Sequence, residues 1–418
     1  MQRLLHTSVS RWNRNSMTIR QEDDSFGGRL FFVVFCFGFF VNFYNFVLIC
    51  SPMRIGGVTK PETDMKNYCS RPLPVDVVFH PSWWHRNAGI VFDEDFFYDP
   101  RRRVDDEQLM ERTLHERFGD CGLGEHHAER RPEVGAVHLA AGYLLSEMLG
   151  CRIEYGADTA PQVICAHREE LTIDEEAPFR SPAFKRLVKL MDALEAEYGY
   201  LTGDINWGGV LNLAIDIKGE SVLMDMMIDP DGTRAYFESI GRVVERFFNY
   251  VRSRTGTTSV SVNRIARHLN EPLYLHSECS HTMISEADYE SLLLPVDCRW
   301  SELYRPYGIH YCGADPHRHA AQMAKIPHLD FLDLGWGGDV AALRAALPRT
   351  FFSIRLNPVE IEGYTRDELR EIIASRVEAS GDPMLTGICC INMDASVSDS
   401  RVKEIFRIAD ELRNSLTR

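Results

Sequence analysis

The sequence lacks the cysteine spacing of a disulfide framework. Its eleven cysteines are an odd number at no regular interval, which argues against a stapled secreted scaffold and for a reducing, cytoplasmic setting. It also lacks positive charge: the formal net charge is −15 and the pI about 5.5. A general nucleic-acid binder needs a basic surface to neutralise phosphates, so that class is disfavoured. Neither a G-x-G-x-x-G fingerprint nor a Walker A loop occurs, which removes the commonest nucleotide-binding devices. Long uncharged runs are missing as well, with one exception. Leu30 to Cys50 carries no charge over 21 residues and holds eight phenylalanines, long enough to span a bilayer. It is too long and too aromatic for an ordinary signal peptide, and no small-x-small cleavage site follows. Since nothing after Met65 looks membrane-bound, residues 1–64 read as a non-domain segment, either an anchor or sequence upstream of a start at Met53 or Met65.

What is present is a globular composition, 44% apolar and 26% charged over 418 residues, enough for a full core. Residues 65–418 read as one domain, with a leading, mostly helical part over 65–175 and the main barrel over 176–418. The stretch from Asn67 to Arg103 is rich in aromatics and turns and reads as irregular with short helices. Val104–Phe118, Pro132–Leu149 and Phe184–Tyr198 carry helical apolar spacing. Arg152–Tyr155 and Val163–Cys165 read as short strands. The C-terminal third alternates strands (Leu273–His276, Ile309–Cys312, Phe331–Leu334, Phe351–Arg355, Leu385–Ile391) with helices (Glu286–Trp300, Pro316–Ala324, Val340–Ala346, Thr365–Ala379, Ser398–Leu416). That rhythm implies parallel strands with right-handed crossovers and an α/β fold, a (β/α)8 TIM barrel with a helical N-terminal extension. In such a barrel the chemistry sits at the C-terminal strand ends, where His276, Glu278, His310, Cys312, Asp333, Asn357 and Cys389 all fall.

Two of these stand out. In Tyr307-Gly-Ile-His310-Tyr-Cys312-Gly313 an imidazole and a thiol lie two residues apart, so a strand points both to one face. A soft or borderline metal ion, most simply zinc, suits that pair. A further thiol is available in Gly387-Ile-Cys389-Cys390-Ile391. Neighbouring strand residues face opposite ways, so only one of Cys389 and Cys390 belongs to such a site; Cys389 is taken, with Cys390 as the substitute. With 15 histidines and 11 cysteines, chance supplies about 0.4 such spacings in each order, and Cys279-Ser280-His281 is a second pair in reversed order. His317 and His319 lie in a polar helix start and read as solvated.

These stretches resemble the uroporphyrinogen decarboxylase superfamily. The likeness is carried by Met283–Pro295, by Ile309-His310-Tyr-Cys312-Gly313, by Phe331-Leu-Asp333-Leu-Gly335, by Arg355-Leu-Asn357-Pro358, by Gly387-Ile-Cys389-Cys390, and more diffusely by Gly219–Pro230. It implies a (β/α)8 barrel. One branch, the porphyrinogen decarboxylases, carries an N-terminal R-Q-A-G-R-like signature; here Arg101-Arg102-Arg103 has the wrong neighbours. The other resembles corrinoid-dependent methyltransferases, which bind zinc through H-x-C and a later cysteine, matched by His310, Cys312 and Cys389. The implied activity moves a methyl group between a methylated small molecule, or a thiol or folate acceptor, and a corrinoid carried on a separate partner protein. A decarboxylase of a porphyrinogen or other polycarboxylate is the alternative, and an arginine cluster at the barrel mouth would favour it. Glu278 is the candidate fourth ligand or proton shuttle, with His276 and His281 competing; Asp333 and Asn357 are candidate cofactor contacts. No nucleic acid is expected as partner, and a membrane only if 30–50 is an anchor.

Overall fold

The computed structural model describes residues 71–135, 143–203, 205, 208–256 and 273–416. By internal contacts the chain divides into Met1–Thr59 and Lys60–Arg418; the first unit, with the run 30–50, lies outside the described residues. No described helix is long and apolar enough to cross a membrane.

Among the described residues eight strands are formed: β1 (Val75–Phe79), β2 (Arg152–Glu154), β3 (Gln162–Ile164), β4 (Tyr274–Ser277), β5 (Tyr307–His310), β6 (Phe331–Asp333), β7 (Phe351–Arg355) and β8 (Thr386–Met393). β2 and β3 make a separate antiparallel pair. The other six form one curled, all-parallel sheet in the order β1-β8-β7-β6-β5-β4. The expected eight-stranded barrel is therefore seen as six strands among the described residues. Among the described residues two isolated parallel bridges involve the long connection from β1 to β4: Glu133 to Thr202 within it, and Gly208 to Ser277 from it to the end of β4. Pro132 and the residues after it open on this bridge, and the helix expected over Pro132–Leu149 is described only as Tyr143–Met148.

The strand pattern explains the layers. Side chains alternate across a strand, and in β1 Val75, Val77 and Phe79 join the large core under the helices, whereas Asp76 and Val78 turn inward. In β8 Ile388 and Cys390 face the helices, whereas Cys389 and Ile391 face inward with Val78. β7 repeats this, with Phe352 and Ile354 outward. Each such aromatic or aliphatic side chain contributes about 1.5–3 kcal/mol on burial. Register then sets a polar row on the inner face: Asp76 opposite Cys389 opposite Arg355 on one side, Ser277 opposite His310 opposite Asp333 on the other. β1 was hidden in the aromatic leading segment read as irregular; it pairs with β8 and belongs to the main sheet.

The helix expected over Glu286–Trp300 is broken. Glu286–Asp288 leads into a π-turn at Tyr289–Leu293 and then a helix Leu294–Leu303. Pro295 has no N–H to return to Ser291, so the ladder slips there. The slip leaves the Ser291 carbonyl to accept from Arg234 Nε at 3.0 Å. It also sets Tyr289 and Asp297 on the same buried side.

Candidate metal centre

The site is built where β4 and β5 end. His310 is the last residue of β5 and is 1% exposed. Its Nδ1 makes a short contact to Asp333 Oδ2, on the neighbouring strand β6. A carboxylate on one ring nitrogen fixes the imidazole's orientation and directs the other nitrogen outward. That other nitrogen, Nε2, lies 3.0 Å from Cys312 Sγ. Cys279, in the turn after β4, closes the group: its Sγ is 2.6 Å from Cys312 Sγ, and the three ligand atoms lie within 4.8 Å of one another. Both cysteines are half-buried and His310 is buried. The Cys279 thiol donates to Cys312, and despite burial His310 and Arg355 add to that pull, holding Cys312 well below the ordinary thiol range. Burial works against a charge on His310, but Cys312 and Asp333 raise its pKa to about 9.

The loops that carry these side chains touch backbone to backbone. A Cβ built on Gly335, in the turn after β6, would meet the Gly313 carbonyl oxygen at 1.5 Å. Only glycine allows that approach.

Next to the thiols lies a second buried cluster. His276 Nδ1 is 2.7 Å from Asp297 Oδ1, and its Nε2 is 3.0 Å from Glu278 Oε1. Tyr289 and Tyr307 donate to Asp297, each at 2.6 Å, and the Leu211 amide donates to Glu278 Oε1 at 2.8 Å. Burial opposes the imidazolium, but Asp297 and then Glu278 push His276 up to about 9. A Cβ on Gly209 would sit 2.5 Å from the Glu278 carboxyl carbon, so this glycine leaves the room Glu278 occupies. Glu278 Oε2 has no hydrogen-bond partner among the described residues and lies 3.8 Å from His281 Nε2.

The structure thus brings His310, Cys312, Glu278 and His276 into one region and assigns Asp333 a task the sequence did not show: it orients His310. Three expectations need correction. Cys389 is buried on the inner face, as expected against the outward Cys390, yet it is not in the three-residue group; Cys279 is. The signal for Cys279 was the reversed pair Cys279-Ser280-His281, set aside as a chance spacing. Asn357 is seen as a helix cap: its Oδ1 accepts from the Val359 amide at 2.9 Å and it caps the helix Pro358–Gly363 with Glu360. His319 is fully buried, not solvated. A 3-10 turn packs it beside Tyr289 and Tyr311, and burial, then His281 and Arg318, lower its pKa to about 4. Asp297 was missed because it lies on a helix, 21 residues from the histidine it holds.

Fold and site together define an α/β protein of parallel strands with a cysteine–histidine–cysteine group at two strand ends. No family model and no curated protein sequence matches the chain. Among solved structures it is similar to a methyltransferase from Methanosarcina mazei, at 12% identity and a TM-score of 0.56, over 83% of this chain and 96% of that one. At that identity the likeness speaks for the fold.

Proposed function

We propose that the chain is a zinc-dependent methyltransferase of the uroporphyrinogen decarboxylase-like kind. It would move a methyl group between a small-molecule donor or thiol acceptor and a corrinoid held on a partner protein. The observation that carries the reading is the Cys279–His310–Cys312 group. Two sulfurs and an imidazole form a donor set suited to zinc, and the carboxylate behind His310 is the usual companion of a metal-bound histidine. The fold likeness to a methyltransferase is consistent with it.

Cys279, His310 and Cys312 would hold the zinc, which would supply Lewis acidity to lower the pKa of a thiol or to polarise a leaving group. The protein's own groups do the rest. Asp333 holds the His310 ring with Nε2 toward the sulfurs. Glu278, fixed at Oε1 by the Leu211 amide and His276, would take at Oε2, which has no hydrogen-bond partner among the described residues, the proton released by the acceptor. Asp297 keeps His276 in place behind Glu278. Asn357, engaged as a helix cap, has no part in this scheme.

The decarboxylase alternative asks for arginines free to hold carboxylates. Arg355 does face the interior, but its Nη2 lies 3.0 Å from Asp333 Oδ2 in a buried pair. The test is an assay of methylcorrinoid formation and consumption against methoxy, methylamine and thiol compounds, with and without chelator. Turnover abolished by chelation and restored by zinc is the expected result; corrinoid methylation that ignores chelation, or no turnover with any of the panel, would refute the reading.

A further inference from the structure

We propose that Arg355 keeps the metal centre open by holding Cys389 out of it. The proposal rests on the metal reading above and adds which sulfurs belong to the centre and why. Four observations bear on it. Arg355 and Cys389 are register partners on β7 and β8, so both point to the inner face. The guanidinium lies toward the thiol group: Nη2 is 3.0 Å from His310 Nδ1 and from Asp333 Oδ2, and Nη1 is 3.7 Å from Cys312 Sγ. Arg355 is 1% exposed and its Nε has no hydrogen-bond partner among the described residues. Cys389 is fully buried, and in the strand order β7, which carries Arg355, stands between β8, which carries Cys389, and β6 and β5, which carry Asp333 and His310, whereas Cys279 reaches Cys312 directly from the β4 side.

The physical consequence is an asymmetric centre. From the β7 side the His310–Cys312 pair meets a buried cation, carried on the strand between it and Cys389. A divalent ion is repelled from that direction, and in a buried setting the repulsion is weakly screened. From the β4 side it meets a thiol and partial exposure. Three ligands from this chain leave a fourth position free, the mark of a catalytic zinc site; a fourth thiolate would close it as in structural sites. Arg355 is thus a positioning residue that sets the ligand count.

X-ray absorption at the zinc edge of the purified full-length protein tests this, because zinc–sulfur distances of about 2.3 Å separate from zinc–nitrogen distances of about 2.0–2.1 Å. The expected count is two sulfurs in the native protein and two in Cys389→Ser, with zinc content unchanged. Cys279→Ser should fall to one sulfur or lose its zinc. Arg355→Ala should rise to three, and Arg355→Ala with Cys389→Ser should return to two. Three sulfurs in the native protein, falling to two in Cys389→Ser, would overturn the proposal while leaving a zinc enzyme. Two sulfurs in a zinc-loaded Arg355→Ala would show that the arginine is not what excludes Cys389. Native protein without zinc would overturn the metal reading and this proposal together. If Arg355→Ala does not fold, the Cys389→Ser and Cys279→Ser counts still decide which thiol is the ligand.

Discussion

Two buried clusters adjoin at Glu278 and Cys279, and they are built from opposite materials. The first is soft and half-open: two thiols and an imidazole whose ligand atoms crowd within 4.8 Å. The second is hard and closed: Asp297, His276 and Glu278 are all 0% exposed, and two tyrosine hydroxyls complete Asp297. The difference teaches which group serves which end. Soft donors with access suit an ion and an incoming ligand, whereas the buried Asp297–His276 pair suits rigidity, with Glu278, beside Cys279, as the group between them that takes a proton. The comparison predicts that damage to the first costs metal and little stability, and that damage to the second costs stability first.

The largest effect is expected from Cys312→Ala. Zinc should fall from about one per chain to none, with turnover, while circular dichroism stays native; a variant that keeps its metal would dissolve the distinction between the clusters. Next comes Asp297→Ala. Removing one partner of a buried pair costs about 3–5 kcal/mol, which urea unfolding should register, and the zinc content of the folded fraction should stay near native. Asp333→Asn should weaken zinc binding about 10- to 100-fold, the usual consequence of losing a histidine's orienting carboxylate, and a metal-competition titration measures it.

How far these residues could be seen in the sequence follows from how each is brought to its place. His310 and Cys312 were visible because a strand turns a two-residue interval into one face. The strands β5 to β8 were visible because each is a short apolar run with a helical stretch on either side. Cys279 showed only as the reversed pair with His281 and its place did not, because it is joined to Cys312 across two strands, and the register between β4 and β5 leaves no mark on either segment. Asp297 was hidden by the π-turn, which no periodicity announces. β1 was hidden because its apolar residues continue into the Trp83–Trp84 stretch, and the strand and helix periods blur there. Asn357 showed the opposite error: a polar residue at a strand end followed by proline is also a helix cap, and here the cap won.

Two smaller effects sharpen the comparison. The His276 pKa is raised from 6.5 to about 9 in the folded protein. A raised value means the proton binds the folded state more tightly, so the stabilisation is whole below pH 6.5 and is lost as pH rises through about 9. Urea unfolding across that window should show the decline in the native protein and a flatter profile in Asp297→Asn; an unchanged profile would remove the charge from the closed cluster. The smallest effect is expected from Asn357→Ala, about 1 kcal/mol for a lost helix cap with zinc content untouched.

The contact between Gly335 and the Gly313 carbonyl means that the position of the Cys312 sulfur is not written in its own loop alone. A side chain at 335 would lift the neighbouring turn and carry the thiol with it. Anyone transplanting this centre into another scaffold would have to move both turns as one piece, and random variation at Gly335 should register as lost zinc although that residue is not in the Cys279–His310–Cys312 group.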